Sequence, residues 1–438
     1  METQVSAQSV KTGFSTFSLI WFGQTISLLG SGLTSFALGI WVYQATGEVT
    51  SYALVALFTV LVTLLLSPVS GALVDRWNYR IVMLASDAAS ALTTLAIAGL
   101  FYTGRLEIWH IYVMVAVNAG FATFQQPAYS ALTSRLVAAE QLGRTSGMVQ
   151  MGLAVSDLFA PLLAGMLIMR INLSGVFLID FGTFLFAVIT LMLVRLPTQV
   201  KPASSLPSAR WNVRALLQET RLGWTYVAAR PGLLGLLAYL AIANFASGII
   251  NSILVPMLIH LTTAENVGLI ISIAGGGMFV GSLIMSAWGG PRRRIWGVLG
   301  SETIKGLGII LIGLRPEAWL VTLGAFAAHF TIPFSAASNQ AIWQVKIPQE
   351  MQGRVFAIRQ MVSRSIMPLA FLLAGPLADR VFEPLMRSPL GFFEVVGQVI
   401  GTGPGRGMGL LFSLMGAVIA IAAMTGVFVP VIRKVEEA

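Results

Sequence analysis

Long apolar segments are the feature of this sequence that most restricts its fold. Twelve of them follow one another along the 438 residues, each bounded by charged residues, glycine or proline. A helix needs about 20 mainly apolar residues to cross the hydrocarbon core of a bilayer. Lipid offers the backbone no hydrogen-bond partners, so we expect each segment to be helical. The sequence therefore predicts an all-α membrane protein with twelve transmembrane helices, at residues 16–42, 50–73, 81–103, 108–131, 146–169, 174–195, 232–259, 267–289, 295–314, 318–341, 358–381 and 409–431.

The composition excludes several other classes of protein. Only 10% of the residues are charged, whereas a soluble domain carries roughly 25%. The absence of cysteine from the sequence excludes disulfides, thiolate metal sites and cysteine nucleophiles. A net charge of +9 could indicate a nucleic-acid partner, but the cations fall in short loops between the spans. We therefore expect a lipid bilayer as the surroundings of this chain, and no nucleic acid.

The Lys and Arg residues also predict an orientation. Twenty of the 27 lie in one set of loops and six in the opposite set, while Lys305 falls inside a span. Loops rich in Lys and Arg stay in the cytoplasm. We therefore expect a protein of the cytoplasmic (inner) membrane with both termini and the central linker in the cytoplasm. Residues 1–14 lack a basic region and cleavage site typical of a signal peptide, so we expect the first span to be retained.

The two halves of the sequence repeat each other. Gly143–Met151 matches Gly353–Met361 at an offset of 210 residues, and Leu162–Gly165 matches Leu372–Gly375 at the same offset. Two pseudo-symmetric bundles of six helices, joined by a cytoplasmic linker, are typical of secondary transporters.

The longest polar insert separates the two halves. Its start is rich in proline and serine, which is typical of a linker, and Trp211–Ala229 has the pattern of an amphipathic helix. The predicted domains are a bundle at 1–195, a linker with this helix at 196–230, and a second bundle at 231–438.

A gate motif lies between the second and third spans. The segment Gly71-Ala-Leu-Val-Asp75-Arg76-Trp-Asn-Tyr-Arg80 resembles the signature loop of the major facilitator superfamily, although Asn78 and Tyr79 replace its usual Gly and first basic residue. The resemblance implies that Asp75 pairs with a helix N-terminus or an arginine and closes the cytoplasmic side. We predict a cytoplasmic gate formed by Gly71, Asp75, Arg76 and Arg80, and we expect Asp87 to brace this loop. A simple solvated loop is the alternative.

Other segments resemble one branch of that superfamily. The small residues of the fifth span, from Gly147 to Gly165 with Pro161, are similar to the superfamily's antiporter motif. Phe124–Ala128, Val176–Asp180 and Gly375–Pro384 resemble the macrolide-efflux and enterobactin-exporter branch. The resemblance implies export of a small molecule.

Charged residues inside the spans are costly, at about 3 kcal/mol or more each, and so they are functional candidates. Asp157 shares a helical stripe with Ala160 and Ala164 and is expected to face the packed interior. It is our candidate for proton coupling, together with His329, which titrates near neutral pH. A buried hydrogen bond and ordinary packing are the respective alternatives.

Three further charged groups have structural interpretations. We expect Glu302 and Lys305 to form a neutral local pair, because they are three residues apart on one helix. Asp180 could pair with Arg170 across the hairpin of the fifth and sixth spans.

Polar stripes on pseudo-equivalent spans indicate a central cavity. Residues on the first and seventh spans have the same spacing, and the fourth span adds further candidates. One polar face on each such helix is what an aqueous cavity requires, although hydrogen bonds between helices would place the same residues there. The predicted cavity residues are Gln24, Ser27, Ser31, Asn118, Phe121, Gln125, Asn244, Ser247 and Asn251.

These features predict a secondary transporter and not an enzyme. The sequence has no phosphate-binding loop and no cluster of metal ligands, so we expect no cofactor and transport driven by a proton gradient. The predicted function is export of a hydrophobic or amphipathic small molecule, such as a drug, siderophore or peptide-like metabolite, by proton antiport in a monomer. The alternatives are a lipid or lysolipid translocase and a non-transporting membrane sensor or scaffold.

Overall fold

The computed structural model describes residues 2–74, 77–137, 141–194, 213–388, 391–433 and 435–436, and they are almost entirely helical. The helices are α1 (Glu2–Thr46), α2 (Val49–Val74), α3 (Tyr79–Tyr102), α4 (Ile108–Leu136), α5 (Leu142–Leu193), α6 (Val213–Ala228), α7 (Pro231–Leu261), α8 (Ala264–Trp288), α9 (Arg294–Leu314), α10 (Ala318–Lys346), α11 (Gln349–Pro376), α12 (Glu383–Arg387), α13 (Phe392–Ile400), α14 (Arg406–Phe428) and α15 (Pro430–Arg433). A π-helical stretch, Leu377–Phe382, joins α11 to α12.

The twelve predicted spans all fall on helices. Within the described ranges, ten helical segments are long and apolar enough to cross a membrane. One of them lies in α5 and contains both the fifth and the sixth predicted spans. The fourth predicted span lies in α4, which has 29 residues. The predicted all-α membrane fold is therefore confirmed.

The junction between the fifth and sixth spans is a single residue. With a rise of 1.5 Å per residue, the 52 residues of α5 would extend for about 78 Å if straight, far beyond a core of about 30 Å. The helix is interrupted at Asn172, where φ is 57° and ψ is 179°. Asparagine is among the few residues that tolerate positive φ. The loop that we expected between two helices is thus reduced to one left-handed position.

Two other helices bear on the sequence predictions. The amphipathic helix predicted at Trp211–Ala229 is confirmed as α6 over the residues that the structure describes. Helix α13 was not predicted, because its nine residues are too short for a span and lie in a loop rich in glycine.

The chain divides into two compact units. The first unit comprises Met1–Ala45 and Val55–Pro207, and the second comprises Thr46–Leu54 and Ser208–Ala438. The start of α2 therefore belongs to the second unit. The domain limits 1–195, 196–230 and 231–438 stay a prediction, because residues 195–212 lie outside the described ranges.

The first unit has two apolar cores along its helices. One contains Ile20, Met83 and Leu191 among its buried residues, and the other contains Ile111 and Phe177. These cores fix how α1, α3, α4 and α5 pack, and so they position the polar side chains between them.

In the second unit, α9 packs closely against α10 and α14 through glycines. A Cβ atom on Gly306 would lie 2.7 Å from the carbonyl oxygen of Gly416 on α14, and one on Gly308 would lie 2.8 Å from that of Gly324 on α10. Small residues at such contacts let helix backbones approach within a membrane. The first turn of α9 is also capped, because the carboxylate of Glu436 accepts from the backbone N–H groups of Arg294 and Ile295.

Candidate functional site

A buried carboxylate in the first unit is held by two amides. The side chain of Gln24 on α1 donates from Nε2 to Oδ2 of Asp87 on α3, at 2.9 Å. Gln125 on α4 donates from Nε2 to Oδ1 of Asp87 at 2.7 Å, and lies 3.1 Å from Oε1 of Gln24. We call these three residues the Asp87 cluster. Three helices thus converge on one acidic group.

The Asp87 carboxyl group is out of contact with solvent and with cations. Its side chain is only 2% exposed, and within the described part of the chain it forms no ion pair. Burying an unpaired charge inside a membrane is costly. The two amide donors lower this cost for the ionised form, whereas protonation would remove it. Such a group can therefore exist in either protonation state.

Other predicted cavity residues surround the Asp87 cluster. Asn118 on α4 accepts at Oδ1 from the Ser90 hydroxyl on α3. Ser27 on α1 is buried, and Ser31, one turn further, is half-buried. The structure thus brings polar residues of α1, α3 and α4 together in one unit, as the stripes on α1 and α4 indicated.

An apolar groove of about 800 Å³ lies close to this cluster, between α2, α3 and α4. Phe121 and Phe124 line it, and they lie four residues and one residue before Gln125 on α4. Ser86, adjacent to Asp87, also lines it, and its hydroxyl donates to the carbonyl oxygen of Phe121. The remaining lining is mainly aliphatic and aromatic, with Val62, Leu66, Ile81 and Val117. Phe121, predicted from sequence as an aromatic lining residue, is 39% exposed there.

The second unit also buries a carboxylate, but it pairs it with a lysine. Glu302 on α9 accepts at Oε1 from the Ser335 hydroxyl on α10, at 2.7 Å. Its Oε2 lies 3.3 Å from Nζ of Lys305, one turn along the same helix. Lys305 also donates to the Ser247 hydroxyl on α7, at 3.4 Å. We call these four residues the Glu302 cluster, and its ion pair is the local pair that the spacing predicted.

The remaining predicted residues of the second unit are not gathered into one site. Asn244 on α7 donates to the Ser363 hydroxyl on α11, whereas Asn251 is exposed. His329 on α10 uses Nδ1 to donate to the carbonyl oxygen of Ala325, at 2.9 Å. This bond matches the packing role that was the alternative to proton coupling.

Asp157 does not face the packed interior as we expected. It is exposed on α5, whereas the preceding residue, Ser156, is buried and donates to the carbonyl oxygen of Leu28. Successive residues of a helix point about 100° apart, so the stripe of Ala160 and Ala164 is buried while Asp157 lies beside it. The sequence pattern assigned it to the wrong edge of this stripe.

The structure describes only some of the residues of the predicted gate. Asp75 and Arg76 lie outside the described residues, and Gly71 is in the last turn of α2. Arg80 donates to the carbonyl oxygen of Met192, at 2.8 Å. Asp87 does not contact Arg80, because it lies two turns along α3 and is engaged by Gln24 and Gln125. Asp87 therefore does not brace the loop through Arg80, as we had expected.

Asp180 also has a different partner from the one we expected. It is buried in the second arm of α5, and Oδ2 accepts from the Thr94 hydroxyl on α3, at 3.1 Å. Arg170, the predicted partner, is exposed. The Thr94 hydroxyl thus bonds one oxygen of this carboxyl group, whereas Oδ1 is buried without a hydrogen-bond partner in the described structure.

Metal binding is not indicated in the described ranges, where no group of three or more His, Cys, Asp or Glu side chains could hold an ion. The site combines instead a buried acid, neutral amides and an apolar groove.

The sequence profile of the Major Facilitator Superfamily matches residues 20–372. The chain belongs to this superfamily. It is therefore a transporter with multiple membrane-spanning helices and not an enzyme. The predicted resemblance to the macrolide-efflux branch is confirmed by the curated relatives described next.

Two such relatives are similar over most of their length. Macrolide efflux protein A of Streptococcus pyogenes is 27% identical over 381 residues, which is 83% of this chain and 90% of that protein. The multidrug efflux pump Tap of Mycolicibacterium fortuitum is 25% identical over 377 residues, covering 82% and 88%.

Solved transporter structures share the fold. A bacterial homologue of the human lysosomal transporter Spinster superposes with a TM-score of 0.69 at 13% identity, covering 94% of this chain and 96% of the other. A bacterial homologue of the iron transporter ferroportin superposes with a TM-score of 0.66 at 14% identity, covering 97% and 99%. At these identities the likeness concerns the fold alone.

Proposed function

We propose that this transporter exports an amphipathic small molecule in exchange for protons. The observation that carries the proposal is the Asp87 cluster beside the apolar groove. The groove offers apolar walls for the body of a substrate, and the Asp87 carboxyl group can take up or release a proton without a bound cation. The names of the relatives, which are a macrolide efflux protein and a multidrug efflux pump, support drug-like substrates.

Proton exchange at Asp87 provides a physical basis for coupling. When ionised, the carboxylate is stabilised by the amides of Gln24 and Gln125. When protonated, it no longer carries a charge inside the membrane. A proton gradient therefore selects between two states of one buried group, and a conformational change that alters its access couples that gradient to substrate export.

Most of the sequence predictions enter this proposal. Gly71, Asp75, Arg76 and Arg80 are proposed to form the cytoplasmic gate. Asp87, which the sequence analysis placed with the gate, takes the coupling role, and Asp157, the first coupling candidate of the sequence analysis, becomes the alternative. We also propose a monomer in the cytoplasmic membrane, with both termini in the cytoplasm and no cofactor besides the proton gradient.

The test is efflux from reconstituted vesicles with an imposed pH gradient. The substrate is chosen from macrolides, siderophores and peptides by screening efflux-sensitised cells that express the protein. Asp87→Asn preserves size but cannot ionise, and one of the two glutamines has to turn its amide so that Oε1 accepts from the new NH2 group. Gradient-driven efflux should be lost while the variant still inserts. Asp157→Asn is measured in parallel, because Asp157 is the alternative coupling group. Gradient-driven efflux by Asp87→Asn at the wild-type rate would refute the role of Asp87.

A lipid or lysolipid translocase is a second candidate, and the groove favours it. Lining residues Phe121 and Ile81 are exposed, so an acyl chain could enter from the side of the first unit. Vesicles that contain a fluorescent lysolipid test this function against the drug identified by screening. If the lipid moves and the drug does not, lipid translocation replaces the export of soluble amphipathic molecules as the proposed function.

A further inference from the structure

Asp87 and Glu302 lie at the same distance from the start of the third span in each half, although 215 residues separate them and the repeat offset is 210. Asp87 lies eight residues after Tyr79, the first residue of α3, and Glu302 lies eight residues after Arg294, the first residue of α9. These are the third spans of the two halves. The acid is therefore placed at the same depth of the same helix in each unit.

The partners on the following span are equivalent as well. Gln125 and Ser335 are separated by 210 residues, which is the offset of the sequence repeat, and α4 and α10 are both 29 residues long. Gln125 donates to Asp87, and Ser335 donates to Glu302. Each unit therefore has an acid two turns into its third span and a donor to that acid on its fourth span, and the donors alone follow the offset of the repeat.

The decisive difference lies one turn beyond each acid. Three residues after Glu302 is Lys305, whose ammonium group is 3.3 Å from the carboxylate. Three residues after Asp87 is Ser90, whose hydroxyl is bonded to Asn118 instead. A lysine carries a positive charge that a serine cannot supply, so only the second unit neutralises its acid internally.

The other charged and titratable groups near each acid also differ between the two units. In the second unit, Tyr239 of α7 lies near Glu302, and His329 of α10 lies near Lys305. Helix α14, which also packs on α9, has no charged or titratable residue from Gly407 to Phe428.

In the first unit, the partners that α1 and α4 present to Asp87 are neutral amides. The acid that α5 presents to α3 is Asp180, which bonds Thr94, about two turns from Asp87. Lys305 is therefore the feature that separates the two sites.

We infer that Lys305 takes the place of a proton in the second unit, where it keeps Glu302 ionised and inactive in coupling, so that of these two carboxyl groups only Asp87 exchanges a proton in each transport cycle. The inference rests on the proposed function for the role of Asp87, but the assignment of protonation states does not depend on any particular substrate. Lys305 is a positioning residue, since it acts through Glu302.

The experiment measures carboxyl protonation directly. Infrared difference spectra of the purified full-length protein, recorded between alkaline and acidic pH, report the C=O stretch of protonated carboxyl groups. Wild type should show buried-carboxyl intensity that decreases in Asp87→Asn and is unchanged in Glu302→Gln, while the buried Asp180, bonded to Thr94, accounts for the intensity that remains. Lys305→Met should add a second band, because Glu302 then has to bind a proton to remain buried. The double variant Glu302→Gln/Lys305→Met should lose that second band.

The outcomes distinguish this inference from the proposed function. Loss of intensity in Glu302→Gln would show that Glu302 titrates despite Lys305, and no second band in folded Lys305→Met would also overturn the inference. The double variant is neutral at both positions and serves as the folding control. The spectra require no transported substrate, so failure to find an exported molecule would affect only the proposed function.

Discussion

The Asp87 cluster and the Glu302 cluster are similar arrangements, and only the Glu302 cluster contains a cation. Both place an acid two turns into the third span of a bundle and a donor on the fourth. The first unit completes the site with a second neutral amide, that of Gln24, whereas the second unit completes it with Lys305. An acid without a fixed counter-ion can respond to pH, but one paired with a lysine is held in one state.

This difference shows how a duplicated fold can assign separate tasks to its halves. A buried ion pair adds little net stability, and losing one partner is strongly destabilising. The second cluster is therefore expected to resist change, while the first retains a choice of protonation state. Four predictions test this division, and they begin with the largest expected effect.

Replacing Asp87 by Asn should abolish efflux driven by a pH gradient. The amides of Gln24 and Gln125 can still pair with the new side chain, but no proton can be exchanged. Substrate exchange down its own concentration gradient should persist, because it needs no coupling. Loss of both activities, with intact membrane insertion, would indicate a structural role for Asp87 and remove the proposed contrast.

Replacing Lys305 by Met should destabilise the protein by about 3–5 kcal/mol, because it leaves a buried carboxylate without its partner. The effect should shrink at acidic pH, where Glu302 can be protonated. Thermal unfolding in detergent at two pH values measures both effects. Glu302→Gln/Lys305→Met should recover most of the stability, and a double variant as unstable as the single one would contradict the pairing.

Filling the groove with Gly120→Phe should reduce efflux severalfold. Gly120 lines the groove, and a Cβ atom there would meet Leu66 and Val62 only at 3.6–3.8 Å, so space for a ring exists. Gly99→Phe is the matched control, since the Cβ position of Gly99 has no neighbour within 4 Å in the described structure. Equal efflux rates for the two variants would exclude the groove as a substrate path.

Replacing Asp157 by Asn should have the smallest effect on proton-driven efflux. The residue is exposed on α5, whereas Asp87 is enclosed by the amides of Gln24 and Gln125. Rates of efflux under an imposed pH gradient, compared with those of Asp87→Asn, measure the difference. If Asp157→Asn loses coupling while Asp87→Asn retains it, the coupling group moves to α5.

The candidate site was predictable in its members but not in its assembly. Gln24 and Gln125 were recognised from their polar stripes, and Asp87 as a charge within a span. The sequence placed the acid with the cytoplasmic gate, although the residues that bind it are 63 and 38 positions away along the chain. Only the packing of α1, α3 and α4 shows that the three belong together.

The sequence by itself determined the helices, the repeat and the Glu302–Lys305 pair. Helical hydrogen bonds and side-chain neighbours on one helix join residues three or four apart, so a local pattern is enough to specify them. The tertiary structure alone decided that Asp87 is enclosed by neutral amides and that Asp157 is exposed. Those facts depend on the rotation of each helix and on which helices meet, and both are fixed by contacts between residues far apart in the chain.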